Sequence, residues 1–361
     1  MSEKGAYPWL FSARTDLSVF LGSALLSFAL LAVGGQLGIL HSDSPQWIWV
    51  PAVLLIDVAH VWSTVFRVYW DRDELRRRPW LYWGMPAFLY VLGVLLYSLG
   101  PMWFWTCAAY FAVYHFVRQQ YGWVALYRRR GNEFDAIDRW IDTLTIYGVT
   151  LYPLLYWHAH LPRQYWWFVP EDFVLQLPPI VDALCFPLYL VLIGVYLARA
   201  LQRWLLLQRR NPGKDIVVVT TALCWYVGIV YYNSDYAFTV TNIIIHGVPY
   251  FALVYFFAKK RARAGHGGLL RIVLAGPLAF VGVLVLLAYG EEFLWDRLVW
   301  HQRQWLFGQG TSVGHLLITF IVPLLALPQL THYALDGFIW RRHSNPDYKN
   351  LHGSIRNSAK P

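Results

Sequence analysis

Charge is scarce in this chain. Only 14% of its 361 residues are Asp, Glu, Lys or Arg, against 57% hydrophobic, where a soluble domain carries about 25% charged and 45–50% apolar residues. That scarcity excludes a disordered chain, a nucleic-acid module and an ordinary soluble enzyme. Cysteine is scarcer still. Cys107, Cys185 and Cys224 lie in apolar segments far from one another, which leaves no disulfide framework and no cysteine-based metal motif. There is no P-loop, no GxGxxG fingerprint and no Gly-x-Ser-x-Gly elbow. A C-x-x-C-H haem-attachment site is missing, as are the HxxxH and HxxHH boxes of the membrane desaturases and hydroxylases. No internal repeat is evident. The first apolar block begins near Leu17, is full length and lacks an A-x-A cleavage site, so it reads as a first span rather than a signal peptide.

What the chain does have is a series of apolar blocks, each close to the roughly 20 residues that cross a hydrocarbon core as a helix. The expected fold is an all-α polytopic membrane bundle of about ten transmembrane helices, at 17–39, 47–68, 82–99, 102–127, 138–157, 182–201, 215–233, 238–258, 269–289 and 312–339. Residues 1–340 read as a single transmembrane domain and 341–361 as a basic tail. The net charge of +9 follows topology. Of the 30 Lys and Arg, all except Arg118, Arg163, Arg297 and Arg303 fall on one side of this ten-span arrangement. The positive-inside rule makes that side, with both termini, cytoplasmic. The expected location is a bacterial-type inner or plasma membrane.

Ionisable residues at membrane depth are costly and mark function. The second block carries Asp57 and His60. The fourth carries His115, Arg118, Gln119 and Gln120, the eighth Asn242, His246 and Tyr250, and the last His315, Gln329, His332 and Asp336. Counted from the cytoplasmic ends of their helices, His60, His115, His246 and His332 lie about 10–18 Å deep at roughly 1.5 Å per residue. Four histidines therefore fall in one slab. His158, His160 and His315 sit nearer the outer boundary and receive no role. Each slab histidine has a polar neighbour on its own helix face: Asp57 three residues before His60, Gln119 four after His115, Tyr250 four after His246 and Asp336 four after His332. Metal-bound imidazoles are oriented by such acceptors, and imidazole with few carboxylates suits iron or zinc. A lone intramembrane histidine is more often an interhelical hydrogen-bonder; four at one depth favour a metal or haem site.

The final helix reads LALPQLTHYALDGFIWRRHS over Leu325–Ser344. It resembles the C-terminal end of the bacterial membrane β-carotene cleavage dioxygenases of the Brp/Blh type. Those also close with a Pro, a His, an Asp four residues on, a Phe and an Arg-containing tail. The resemblance implies a multi-pass protein whose intramembrane histidines bind non-haem iron, at positions similar to His60, His115, His246 and His332. It covers this segment and the pattern of isolated histidines. Two departures stand out. Asp57 precedes His60, where the family's first His precedes its Asp. His246 and Tyr250 stand where the family has a paired His-x-x-x-His.

The expected function is thus an integral-membrane oxygenase with a histidine-ligated non-haem Fe(II) centre, Zn and haem being the alternative cofactors. His60, His115, His246 and His332 are the expected ligands, and Asp57, Gln119 and Asp336 their orienters. Tyr250 and Arg118 are the expected catalytic side chains. The expected partners are a lipophilic, carotenoid- or lipid-like substrate, dioxygen, membrane lipids and a redox partner, with no nucleic acid. Two rival readings remain open: a haem-binding membrane protein, and a proton-coupled transporter in which Asp57, Arg118 and the histidines form a relay.

Overall fold

The computed structural model describes residues 7–40 and 44–341. The described residues are helical throughout their ordered elements and contain no strand, as the apolar blocks require. Bilayer interiors satisfy backbone polar groups only within helices or closed barrels. Long helices occupy all the expected positions. They are α1 (Ala13–Gln36), α2 (Gln46–Tyr69), α3 (Pro79–Leu99), α4 (Pro101–Arg130), α5 (Ala136–Ala159), α6 (Ile180–Leu205), α7 (Pro212–Tyr231), α8 (Asp235–Arg263), α9 (Pro277–Trp300) and α10 (His315–Ile339). Eight of these are long and apolar enough to cross a membrane. The exceptions are α4 and α5, whose length is sufficient but whose polar and aromatic content is high.

Local chemistry sets the boundaries. Gly100, with φ near +148°, and Pro101 separate α3 from α4. Asp135 opens α5 by accepting the amides of Ile137 at 2.9 Å and Asp138 at 3.0 Å. Ser234 opens α8 through the amide of Ala237. The ninth helix starts at Pro277 rather than near residue 269, because Gly276 takes a positive φ of 115° after a 3₁₀ stretch over Gly268–Ala275. It also runs on to Trp300. The last helix breaks at Ala326 into His315–Leu325 and Leu327–Ile339, with Pro323 inside the first half and Pro328 opening the second.

One transmembrane domain was expected over 1–340. The described residues cluster into two compact units. The first is Met1–Ala52 with Phe116–Pro249, and the second Val53–His115 with Tyr250–Pro361. Apolar blocks identify helices but carry no record of which helices pack together, so this division was not legible. Of the tail, residues 342–361 lie outside the described residues.

The first unit is held by close helix packing and buried ion pairs. A Cβ added at Gly34 of α1 would stand 2.3 Å from the Tyr236 ring. The Tyr236 hydroxyl donates to the Leu30 carbonyl at 2.7 Å. Lys214, fully buried, is bound by Asp142 at 2.9 Å and by Glu133. Arg128 reaches Asp142 at 3.2 Å, and Arg203 lies within 3.6 Å of Asp138, Asp142 and Asp215.

In the second unit, α10 packs against α3 and against residues 59–62 of α2, where α9 also docks. Here Gly93 lets α3 approach Pro323 of α10, where an added Cβ would come to 2.9 Å. Nearer the other end of the same two helices, Val68, Tyr82, Leu335 and Ile339 form a buried apolar cluster.

Candidate metal centre

The second unit brings together three of the four slab histidines. His60 of α2, His115 of α4 and His332 of α10 each offer a ring nitrogen within 4.8 Å of the others. Their exposures are 0%, 2% and 0%. The His332 ring meets that of His60 edge-on at 5.0 Å between centroids and that of His115 at 4.7 Å. Depth alone aligned these residues in the sequence. The fold adds the azimuth: α10 is bent just before His332 and lies against the turn of α2 that carries His60.

A polar side chain from outside the cluster stands near each ring. Thr64, one turn beyond His60, places its hydroxyl 2.8 Å from Nδ1 of His332. Nε2 of His332 is buried with no hydrogen-bond partner among the described residues. Asp57 stands 3.7 Å from Nδ1 of His60. Asp336 stands 3.7 Å from Nδ1 of His115, whose ring stacks on Tyr333 at 4.8 Å. Asp336 itself is held by the Tyr250 hydroxyl and by the Trp340 indole N–H at 3.0 Å. Arg67, fully buried, fixes that end of α10 by donating to the Ile339 carbonyl at 2.7 Å, with its guanidinium over Phe257 and Trp340. Beside the cluster, Trp62 donates to the buried Glu291 carboxylate at 2.6 Å.

The remaining expected site residues are placed differently. His246 belongs to the first unit and is not in the group of three. Its ring stacks on Phe116 at 3.5 Å and its carbonyl accepts the Gln119 amide at 2.8 Å. Gln119 thus serves a backbone group, not the His115 ring it was expected to orient. Tyr250 was paired with His246 in the sequence; in the fold it meets Asp336, and its ring lies 5.1 Å from His332. Asp336, expected to orient His332 four residues away, faces His115 instead, and Thr64 takes its place. Arg118 is exposed, bonded to the Tyr147 hydroxyl and stacked over Tyr121, an arrangement that gives no support to a catalytic role. His158 and His160 bond carbonyls of their own helix, Leu154 at 2.7 Å and Tyr156 at 2.9 Å. His315 is exposed at the start of α10.

Thr64, Tyr333, Trp340 and Glu291 were not among the residues expected at the site. Glu291 carried a visible signal, a carboxylate inside an apolar helix. Thr64 carried none, since threonine in a membrane helix ordinarily bonds its own backbone.

A second cluster of Asp71, Asp73 and His266 lies outside the spans. Asp71 is already matched by Arg261 at 2.6 and 2.9 Å, and Asp73 by His266. Burial alone would raise the Asp71 carboxyl, but the Arg261 guanidinium and the Glu74 amide hold it below its usual range. This is an ion-paired joint between the short helix Arg72–Arg77 and the end of α8.

Comparison with protein-family models, with curated proteins and with solved structures finds no match.

Proposed function

We propose that this chain is an integral-membrane oxidoreductase in which His60, His115 and His332 hold one non-haem iron ion beside a lipophilic substrate. The observation that carries this reading is the convergence of three fully buried imidazoles from three helices, with Nε2 of His332 buried and without a partner. Imidazole nitrogens bind first-row metals at about 2.0–2.1 Å, so nitrogens already within 4.8 Å of one another need only small side-chain adjustments to share an ion. The donor set is neutral, with carboxylates behind the rings rather than among them, which suits iron, zinc or copper. Iron, when bound, supplies reactivity toward dioxygen that no side chain here provides.

The chain's own residues do the rest. Thr64 fixes the tautomer of His332 by accepting from Nδ1–H, so that Nε2 is the ligating nitrogen. Asp57 and Asp336 orient His60 and His115. Tyr250 and Trp340 keep Asp336 in place. The apolar bundle excludes water and admits a substrate that is itself soluble in lipid. The concentration of Lys and Arg on one side of the ten-span arrangement supports cytoplasmic termini.

Haem fits less well than a lone ion. Edge contact of His332 with both other rings leaves no space for a macrocycle between either pair. A proton relay is the second reading. It is favoured by the run of proton-carrying groups Asp57–His60, Thr64–His332 and Tyr250–Asp336.

The test is metal content by mass spectrometry, with a visible spectrum, on purified wild type, His115→Ala and His332→Ala. The expected result is near-stoichiometric iron without a Soret band, lost in both variants. A Soret band transfers the site to haem. Folded, metal-free protein from iron-replete cells sinks the oxygenase reading and leaves the relay.

A further inference from the structure

At the basic end of the first unit, a cavity of about 840 Å³ opens between the end of α4, the start of α5 and the end of α6. Its lining includes Tyr7, Arg130, Phe134, Arg203, Arg209 and Arg210. The charges sort into two groups. Of the other charged lining residues, Glu133 is matched by Lys214 behind it, Asp138 by Arg199 and Arg203, and Arg203 also by Asp142 and Asp215. The Asp135 carboxylate is committed to the amides that open α5. Arg130, Arg209 and Arg210 are then in surplus, and no ion pair among the described residues neutralises them. Arg130 lends only Nε to the Trp9 carbonyl at 3.0 Å. Arg210 donates to the Gln208 amide oxygen and lies over Trp204.

A second feature says what the surplus faces. Exposed apolar side chains ring the same end: Leu205 at 62%, Leu206 at 74%, Phe134 at 73%, Ile137 at 64% and Trp140 at 65%. Large apolar residues left bare at the end of membrane-length helices belong in lipid, with aromatics at headgroup level. Arginines are thereby held at the depth of phosphates, and their planar forks match a phosphate's oxygens.

We propose that this cavity is a binding site for a phosphate-bearing anionic headgroup, contributed by a phospholipid of the surrounding leaflet. The matched residues keep the cavity open without drawing the three arginines inward, and the aromatic and leucine rim receives the acyl chains. The site is separate from the histidine cluster and does not depend on the metal.

The experiment uses the full chain in nanodiscs, with bound lipid read by native mass spectrometry after release into detergent. The lipids are phosphatidylglycerol and phosphatidylcholine in equal amounts. Phosphatidylglycerol should be retained in preference, and Arg209→Gln with Arg210→Gln should weaken that retention about 30-fold, each arginine near an anionic surface counting for about 5-fold. Arg76→Gln, an exposed arginine of the second unit, should leave it unchanged. Inorganic phosphate at millimolar concentration should not displace the lipid. Equal retention of both lipids, or an equal effect of Arg76→Gln, overturns the proposal. Full displacement by inorganic phosphate also overturns it and assigns the cavity to a free anion. Should the double variant fail to fold, the wild-type lipid preference and the phosphate competition still decide.

Discussion

Thr64 and His332 stand 268 residues apart in the chain and 2.8 Å apart in space, hydroxyl to Nδ1. With Nδ1 occupied, His332 can offer only Nε2 to the cluster. Thr64→Val keeps the shape and removes the hydrogen bond. It should lower metal affinity by about 10–100-fold, the usual effect of losing such an outer partner, while stability falls by only about 1 kcal/mol. Thr64→Ser should restore binding. Metal titration of the purified variants, alongside thermal midpoints, checks this. Unchanged metal affinity in the valine variant would show that the Thr64 hydrogen bond does not position His332 for a metal.

Asp336 tests the second orientation. Its carboxylate faces His115 at 3.7 Å and is held by Tyr250 and Trp340. Asp336→Asn should reduce metal affinity about tenfold, by weakening the basicity and fixing of the His115 ring. Tyr250→Phe should produce a smaller loss, because Trp340 still holds the carboxylate. If Tyr250→Phe abolishes turnover with metal content intact, Tyr250 touches substrate and is more than a positioning residue.

These two relationships mark how far the sequence could be read. Helix positions were legible, because apolar blocks of membrane length, with Gly–Pro boundaries such as Gly100–Pro101, leave little freedom. Counting from the basic ends put His60, His115, His246 and His332 in one slab, and three of the four meet in the fold. Rotation about each helix axis was not legible. Three of those histidines share a unit and a cluster, while His246 stacks on Phe116 in the other unit. The expected pairings were also local, since residues three or four apart share a helix face. Only Asp57–His60 kept its expected partner. Asp336 and Tyr250 found partners on other helices instead, because tertiary packing sets which rotamers those side chains adopt. Thr64 and Trp340 became visible only once α10 was laid against α2.

Asp71 and Arg261 govern a pH dependence that is independent of the metal. Both are buried, and their bidentate contact ties the segment after α2 to the end of α8. The folded-state pKa of Asp71 lies below its ordinary value of 3.8. A carboxyl depressed in this way stabilises the fold fully above its unfolded pKa. The contribution is lost as pH falls below about 4 toward the folded value. Thermal midpoints of the wild type should therefore drop as pH falls through and below about 4. Asp71→Asn should be less stable at neutral pH by about 3–5 kcal/mol, because the buried Arg261 guanidinium then faces a neutral amide in place of a carboxylate. The variant's midpoint should also change less over that acid range. A parallel decline in both proteins would place the acid sensitivity elsewhere.

Lys214 makes the corresponding test in the first unit. Its ammonium is fully buried between Asp142 and Glu133, and Asp142 also faces Arg128 and Arg203. Removing one member of a buried charge cluster costs more than the cluster contributes, because the partners stay desolvated. Lys214→Met should therefore destabilise by about 3–5 kcal/mol and lower the yield of folded protein. Lys214→Met combined with Asp142→Leu removes the cation together with the fully buried acid beside it. It should recover part of the loss, with a coupling of about 0.5–3 kcal/mol. Partial recovery rests on Arg128 and Arg203 retaining other acceptors, the Glu133 carbonyl at 3.5 Å for Arg128 and Asp138 and Asp215 for Arg203. Strict additivity of the two substitutions would mean that Lys214 and Asp142 are not energetically paired, despite the 2.9 Å between them.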